Sequence, residues 1–353
     1  MKKILLIRFS ALGDVAMLAP VVREAAKANG NTEFTVLSRP MCEPLFDNLG
    51  ENVHFIGRDV KKDYKGLKGL YRLFKELDQI HFDCVCDMHD VLRTKVLRKL
   101  FRLHGYKVYK INKHRELRKV ITAEGDKKQL IQLPTAFENY QHVLNHIDGI
   151  TKCRNAEMPE CRSAERSTVN CKLSTKKIGI APFAAHKGKI YPLEKMEEVI
   201  ALLGECKRNA IKDSYENEAL RYENQIYLFG GGGDERAKMQ EWAEKYPNVH
   251  LASEYCKNLR EELQLMAKLD VMLSMDSANM HLASLVGTRV VSIWGATHPY
   301  AGFLGWGQSM DDCIQRHDLK CRPCSIYGNK PCLRGDMACM DISPETISCK
   351  VQG

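Results

Sequence analysis

The sequence predicts an α/β protein built from two successive units, each a parallel β-sheet covered by helices. Short apolar runs alternate with helix-period stretches through the first half of the chain, and after a polar interruption the alternation starts again. Strands buried on both faces read as continuous apolar runs, whereas the helices that cover them show a single apolar stripe. At 353 residues the chain suits two cores at about 100–200 residues per domain. Its apolar fraction of 44% is enough to fill them.

Residues 3–9 form the first expected strand, with Ile4, Leu5, Leu6 and Ile7 in a row, and residues 15–28 follow with apolar side chains at helical spacing. Further strands are expected over 34–37, 53–56 and 83–87, with helices over 65–77 and 91–103. Residues 151–174 are polar, rich in Lys, Arg, Ser and Cys, and lack periodicity, as a linker would. The expected division is therefore a first domain over 1–160, a linker over 161–176 and a second domain over 177–353 with a cysteine-rich end. In the second domain strands are expected over 177–181, 226–229, 249–251, 271–274 and 290–293. Helices are expected over 193–208, 235–245, 259–268 and 279–286, and a charged loop insertion over 209–224. Ligands of such sheets bind outside the carboxyl ends of the strands, and two such domains make the cleft between them the expected active site.

Composition narrows the class. No apolar stretch approaches the ~20 residues that cross a bilayer, and Arg8 interrupts the first apolar run, so a cytoplasmic protein is expected. Fourteen cysteines in 353 residues fall short of a disulfide scaffold, leaving thiols, a metal site or redox chemistry. The charge of +9 suits solubility, acidic small molecules or an anionic membrane surface.

The chemistry gathers at the expected strand ends. Residues 271–273 run into Asp276 and Ser277, then into a helix that Gly287 stops. The free amides and positive dipole of that helix start suit an anion, most often a phosphate, and His281 adds a donor in its first turn. The alternative is a capped helix with a surface histidine. After the first strand, Gly13 permits a tight turn and Asp14 stands at the helix start, either as a cap or as a carboxylate that takes a proton from a hydroxyl. Lys187 and Lys189 follow the strand at 177–181, either as charges for a phosphate or as solvated lysines. Gly230 to Gly233 follow the next strand, where glycine lets backbone approach a ligand, although no Gly-Lys-Ser/Thr follows to make a P-loop. Cys321, Cys324, Cys332 and Cys339 have the ligand count of a structural zinc site but not the spacing of the familiar ribbons.

Taken in order, these elements resemble glycosyltransferase family 9, the lipopolysaccharide heptosyltransferases of Gram-negative bacteria. Arg8-Phe9-Ser10-Ala11-Leu12-Gly13-Asp14-Val15 is similar to the family's Arg-x-Ser-(Ser/Ala)-x-Gly-Asp-(Val/Ile). Asp276-Ser277-Ala278-Asn279-Met280-His281-Leu282-Ala283 is similar to Asp-(Ser/Thr)-Gly-x-x-His-(Leu/Ile)-Ala. Lys189-Ile190-Tyr191-Pro192 resembles Lys-x-Trp-Pro, and Trp294-Gly295-Ala296-Thr297-His298-Pro299 resembles (Phe/Tyr)-Gly-x-Thr-x-Pro. The late Cys-x-Pro-Cys and Cys-Met-x-x-Ile-Ser-Pro-Glu segments also recur in the family.

The resemblance implies a GT-B architecture, two Rossmann-like domains facing across a cleft, and an inverting transfer that needs no metal. A heptose-like sugar would pass from an ADP-activated donor to a lipopolysaccharide core or related lipid-linked acceptor. It makes Asp14 the general base and Lys189 the group that neutralises the departing diphosphate. The amides of Ser277, Ala278, Asn279 and Met280 would hold that diphosphate together with His281. Asp276, Gly230, Gly231, Lys187 and Thr297 complete the expected donor site. Ala278 departs from the family's Gly, which bears on how closely backbone approaches phosphate, and Tyr191 departs from its Trp; Phe183 and His186 do not match its lysine element, so donor base and sugar are open to change.

One alternative is a transferase of the same fold with another nucleotide sugar and acceptor. A nucleic-acid-binding protein with a zinc module at Cys321 to Cys339 would need a basic stripe with aromatics, whereas acidic residues are interleaved here. A nucleotide-dependent oxidoreductase lacks its glycine fingerprint. The expected partners are a nucleotide sugar, a lipid-linked acceptor and the cytoplasmic face of the inner membrane, without nucleic acid.

Overall fold

The computed structural model describes residues 1–152, 175–204 and 224–353. Most of the expected linker and most of the expected insertion over 209–224 lie outside them.

Every strand pair is parallel. The first sheet holds β1 (Lys2–Ile7), β2 (Thr32–Ser38), β3 (Val53–Gly57), β4 (Cys84–Asp87) and β5 (Lys107–Lys110) in the order β3-β2-β1-β4-β5. Leu5 of β1 lies opposite Thr35 on one side and Val85 on the other. The second sheet holds β6 (Lys177–Ala181), β7 (Gln225–Leu228), β8 (Val249–Leu251), β9 (Val271–Met275), β10 (Arg289–Trp294) and β11 (Cys313–Gln315) in the order β11-β10-β9-β6-β7-β8. The direction of strand addition reverses between β1 and β4 in the first sheet and between β6 and β9 in the second. Diverging connections open a crevice at such a reversal, which is where sheets of this kind bind ligands.

The helices are α1 (Leu12–Ala28), α2 (Gly66–Asp78), α3 (Leu92–Leu103), α4 (Arg115–Ile121), α5 (Ala136–Asn145), α6 (Leu193–Gly204), α7 (Gly233–Lys245), α8 (Ala252–Tyr255), α9 (Leu259–Met266), α10 (Ala278–Leu285) and α11 (Pro344–Gln352). Helix α2 shows why they form: Leu70, Leu73, Phe74 and Leu77 recur at helical spacing and bury one stripe. They pack with Leu5, Ile7, Leu37, Leu97 and Phe101 in the core of the first sheet. The second core joins Ile178 and Ile180 of β6 to Trp242 of α7, Leu273 of β9 and Ile347 of α11.

Six elements lie outside those expected from the sequence: β5, β11, α4, α5, α8 and α11. Strand β5 has no buried residue and β11 has only three residues, so neither makes an apolar run. Helix α5 does carry a local signal. Thr135 Oγ1 accepts the Glu138 amide at 3.1 Å while Glu138 Oε2 accepts the Thr135 amide at 2.7 Å, a reciprocal capping box.

The described residues cluster into two compact units. One comprises 1–118, 132–152 and 302–306, and the other 119–131, 175–204, 224–301 and 307–353.

Candidate active site

In the first unit the switch between β1 and β4 places the ends of both strands side by side. Arg8, just past β1, is only 6% exposed, and its Nη1 donates to the Met88 carbonyl at 2.6 Å. Its Nη2 stands 2.7 Å from Asp14 Oδ2, and the same oxygen accepts the Ala11 amide at 3.1 Å. Asp14 therefore caps the start of α1 and also pairs with a buried cation. The cap reading and the reactive-carboxylate reading share one geometry, because 28% of the Asp14 side chain is exposed to solvent. Tyr140 donates its hydroxyl to the Asp14 carbonyl at 3.1 Å, and burial holds that phenol well above its ordinary pKa.

Past β4, Asp87 Oδ1 accepts the amides of His89 and Asp90 at 3.0 and 2.8 Å. Asp87 Oδ2 pairs with Arg98 at 3.0 Å. His89 Nε2 lies 3.3 Å from Ser10 Oγ. Burial first, then the charges of Arg8 and Lys113, depress the His89 pKa to about 3, so the imidazole is neutral. Lys113 is itself lowered by burial and by Arg8. Arg8, His89, Lys113 and Tyr140 are absent from the sequence-derived site. Arg8 lies within the quoted motif, and His89 follows a strand end, the location that singled out the other candidates.

In the second unit the switch between β6 and β9 brings Lys189 and Asp276 together. Lys189 lies in a single 3-10 turn, Lys187–Lys189, after β6, and Asp276 directly follows β9. Lys189 Nζ stands 2.8 Å from Asp276 Oδ2, with side chains 14% and 5% exposed. The sequence reading turned Asp276 toward its own turn amides or the nucleotide; in the fold it faces the lysine. Lys187 is exposed to solvent, which separates the two lysines that sequence could not.

Ser277 precedes α10 in extended conformation, but its hydroxyl lies 3.2 Å from Ser274 Oγ and does not cap the helix. Ala278, Asn279, Met280 and His281 form the first turn of α10, with Met280 and His281 buried. Gly287 takes φ +85° past its end, the left-handed conformation that glycine adopts most readily. Thr297, 1% exposed, lies beyond β10 next to Ala296, whose amide donates to the Gly188 carbonyl at 2.9 Å. Lys189, Asp276, the start of α10 and Thr297 thus follow the ends of three adjacent strands.

Gly230 and Gly231 do different work. The amides of Gly231 and Gly232 donate to Glu235 Oε2 at 3.0 and 3.3 Å, which caps α7. A Cβ on Gly230 would stand 2.8 Å from Met239 Cε. Close packing and capping account for those glycines.

Cys321, Cys324, Cys332 and Cys339 are all free thiols, and Cys321, Cys324 and Cys339 lie close enough to Arg322 to act on its charge. Its guanidinium donates to the carbonyls of Gly295, Trp294, Thr297 and Arg316 at 2.6, 2.9, 2.9 and 2.6 Å. Burial raises the Cys339 thiol to about 11. Among the described residues no three His, Cys, Asp or Glu side chains are grouped to hold a metal ion, so the candidate zinc site at these cysteines is not assembled. What the loop does supply is a buried arginine that binds it to the end of β10.

A sequence profile described as glycosyltransferase family 9 (heptosyltransferase) matches residues 216–330. Comparison with curated protein sequences gives no match. Among solved structures, a family 9 glycosyl transferase from Veillonella parvula superposes with a TM-score of 0.67 at 18% identity, over 99% of this chain and 96% of that one. The E. coli heptosyltransferase WaaC with ADP gives 0.64 at 15% identity, over 99% of both chains. The E. coli ADP-heptose lps heptosyltransferase II gives 0.60 at 16% identity, over 100% and 98%. At these identities the likeness establishes the fold.

Proposed function

From a chain whose residues 216–330 are glycosyltransferase family 9 sequence, in the fold of heptosyltransferases, we propose an inverting, heptosyltransferase-like transfer from a nucleoside-diphosphate sugar. The observation that carries the reading is the buried Lys189–Asp276 pair beside the first turn of α10. A largely buried ammonium next to the first amides of a helix is what a departing diphosphate requires. Asp276 holds the lysine in place before the donor arrives.

In the proposed reaction an acceptor hydroxyl attacks the anomeric carbon as its proton passes to Asp14. The bond from that carbon to the diphosphate oxygen breaks, and the electron pair leaves with the diphosphate. A single displacement of this kind inverts the configuration. Arg8 orients the Asp14 carboxylate, while Lys189, the amides of residues 277–280 and His281 stabilise the charge that develops on the leaving group. Each charge in this reaction is met by a protein group, so no metal is assigned a step.

The donor is proposed as ADP-heptose-like, because the E. coli WaaC structures contain ADP and ADP-2-deoxy-2-fluoro heptose. The acceptor is proposed as a lipopolysaccharide core or related lipid-linked saccharide, reached from the cytoplasmic face of the inner membrane. None of the described helices is long and apolar enough to cross a membrane, and the charge of +9 suits approach to anionic lipid. The second reading keeps the fold and changes the donor; Phe183 and His186, which do not match the family's lysine element, favour it.

A thermal-shift panel of ADP, UDP, GDP and their sugar conjugates tests the donor. ADP should stabilise most, and no response to any of them overturns the reading. Asp14→Asn tests the base, since an amide oxygen still accepts the Ala11 amide but takes no proton. Turnover should fall by about 100-fold or more with ADP affinity unchanged. Turnover within a few-fold of wild type refutes the role of Asp14.

A further inference from the structure

The cysteine-rich loop lies against Lys189 through glycine. Gly328 is buried at φ +72°. A Cβ on it would stand 2.6 Å from Lys189 Cγ, 3.3 Å from Cε and 3.4 Å from Cδ. A Cβ on Gly188 would stand 2.7 Å from the Gly328 carbonyl oxygen and 3.1 Å from Ala296 Cβ. One on Gly295 would overlap Met340 and stand 2.8 Å from the Gly188 carbonyl oxygen. Carbon atoms pack at about 3.5–4.0 Å, so three loops meet here at distances that only glycine permits.

The loop that presents Gly328 is fixed from several directions. The amides of Cys324 and Ser325 donate to the Ala296 carbonyl at 3.1 and 3.2 Å. Ser325 Oγ accepts the amides of Tyr327 and Asn329, both at 3.3 Å, which shapes the turn around Gly328. Lys128 Nζ donates to the carbonyls of Cys321 and Pro323 at 2.6 and 2.8 Å. Together with the Arg322 guanidinium, these bonds make the loop a rigid wall along the lysine stem.

We infer that Gly328 is a positioning residue for Lys189: by leaving the volume of a side chain empty, it lets the lysine stem run to Asp276, so the cysteine-rich loop sets where the ammonium meets a diphosphate. The inference rests on the proposed role of Lys189 toward the leaving group. It gives the C-terminal loop a part in donor binding that its cysteines do not explain. The residue acts through Lys189 and needs no contact of its own with the donor.

The test compares Gly328→Ala with Gly335→Ala. Gly335 lies in the same loop at φ +79° with nothing within 4 Å of its built Cβ, so it suffers the same backbone strain without touching Lys189. ADP affinity, with UDP and GDP measured alongside, should fall by at least ~10-fold in G328A, the scale of losing one charge-assisted hydrogen bond to phosphate. It should stay within about twofold in G335A. In a Lys189→Ala background, which removes the stem that Gly328 accommodates, G328A should add no further loss of affinity. Its loss of melting temperature beyond that of G335A should also vanish there. Should G328A alone fail to fold, recovery of folding in K189A/G328A supports the inference, and failure of that double variant overturns it. Equal effects of G328A and G335A, or additive effects of G328A and K189A, also overturn it. If K189A binds the nucleotides as wild type does, the reading of Lys189 falls first; if K189A is weakened while G328A matches G335A, only the present inference falls.

Discussion

Asp276→Asn isolates the ion pair at the centre of the proposed donor site. At 2.8 Å, with an effective dielectric constant of about 20, the direct attraction is about 6 kcal/mol, and desolvation of both charges offsets much of it. The mutant is nearly isosteric but leaves the Lys189 ammonium, on a side chain 14% exposed, without its counter-charge. Removing one partner of a buried pair costs about 3–5 kcal/mol, mostly through the charge left behind. Urea unfolding followed by tryptophan fluorescence reads this loss, because Trp242 and Trp294 are fully buried in the same unit. Adding Lys189→Met removes the stranded charge as well, so the double variant should recover ~2 kcal/mol or more of the deficit. A D276N variant within ~0.5 kcal/mol of wild type, with purely additive effects in the double variant, is the surface-mutation result and refutes a desolvated pair.

Three further outcomes follow from the geometry. The His89 pKa lies at about 3 in the fold against an unfolded value of ~6.5, so the unfolded state takes up the proton first as pH drops. The stability it confers is complete above pH ~6.5 and declines toward pH ~3, by about 2 kcal/mol at pH 5. His298, lowered to about 4 by burial and Arg322, adds to the same acid loss. Urea midpoints at pH ~5 and ~6.5 should therefore differ less in His89→Gln than in wild type, and an unchanged difference refutes a neutral buried imidazole. Arg322→Lys keeps the charge but cannot reach four carbonyls with one ammonium, so it should destabilise by about 2–4 kcal/mol in thermal or urea unfolding, and a wild-type midpoint contradicts the carbonyl network. Thr135→Ala removes one half of the α5 capping box and should cost ~1 kcal/mol by the same assay; no change shows that the cap adds no stability.

Much of the fold was legible because the strands that build it are apolar on both faces. Ile4 to Ile7 and Val271 to Leu273 leave no other economical reading, and the stripe of α2 marks a covering helix. Strand β5 and strand β11 escaped because a short or half-exposed strand has no apolar run, and only its neighbours make it a strand. Helix α5 carries both the Thr135–Glu138 cap and apolar residues at helical spacing, Phe137, Tyr140, Val143 and Leu144, two local signals that the sequence reading did not use.

By itself the sequence determined which residues stand at strand ends, since strand, turn and helix are local consequences of apolar spacing, caps and glycine. Asp14, Lys189, Asp276, Ser277 and His281 were all found in that way, and the order of their motifs pointed to the family. Only the tertiary structure decided which of them face one another. Strand order brings β6 beside β9, and so joins Lys189 to Asp276 across 87 positions of sequence and leaves Lys187 in solvent. The same long-range packing set Gly328 against the Lys189 stem. Pairings of this kind depend on where the sheets reverse and how closely backbones approach, and spacing along the chain encodes neither.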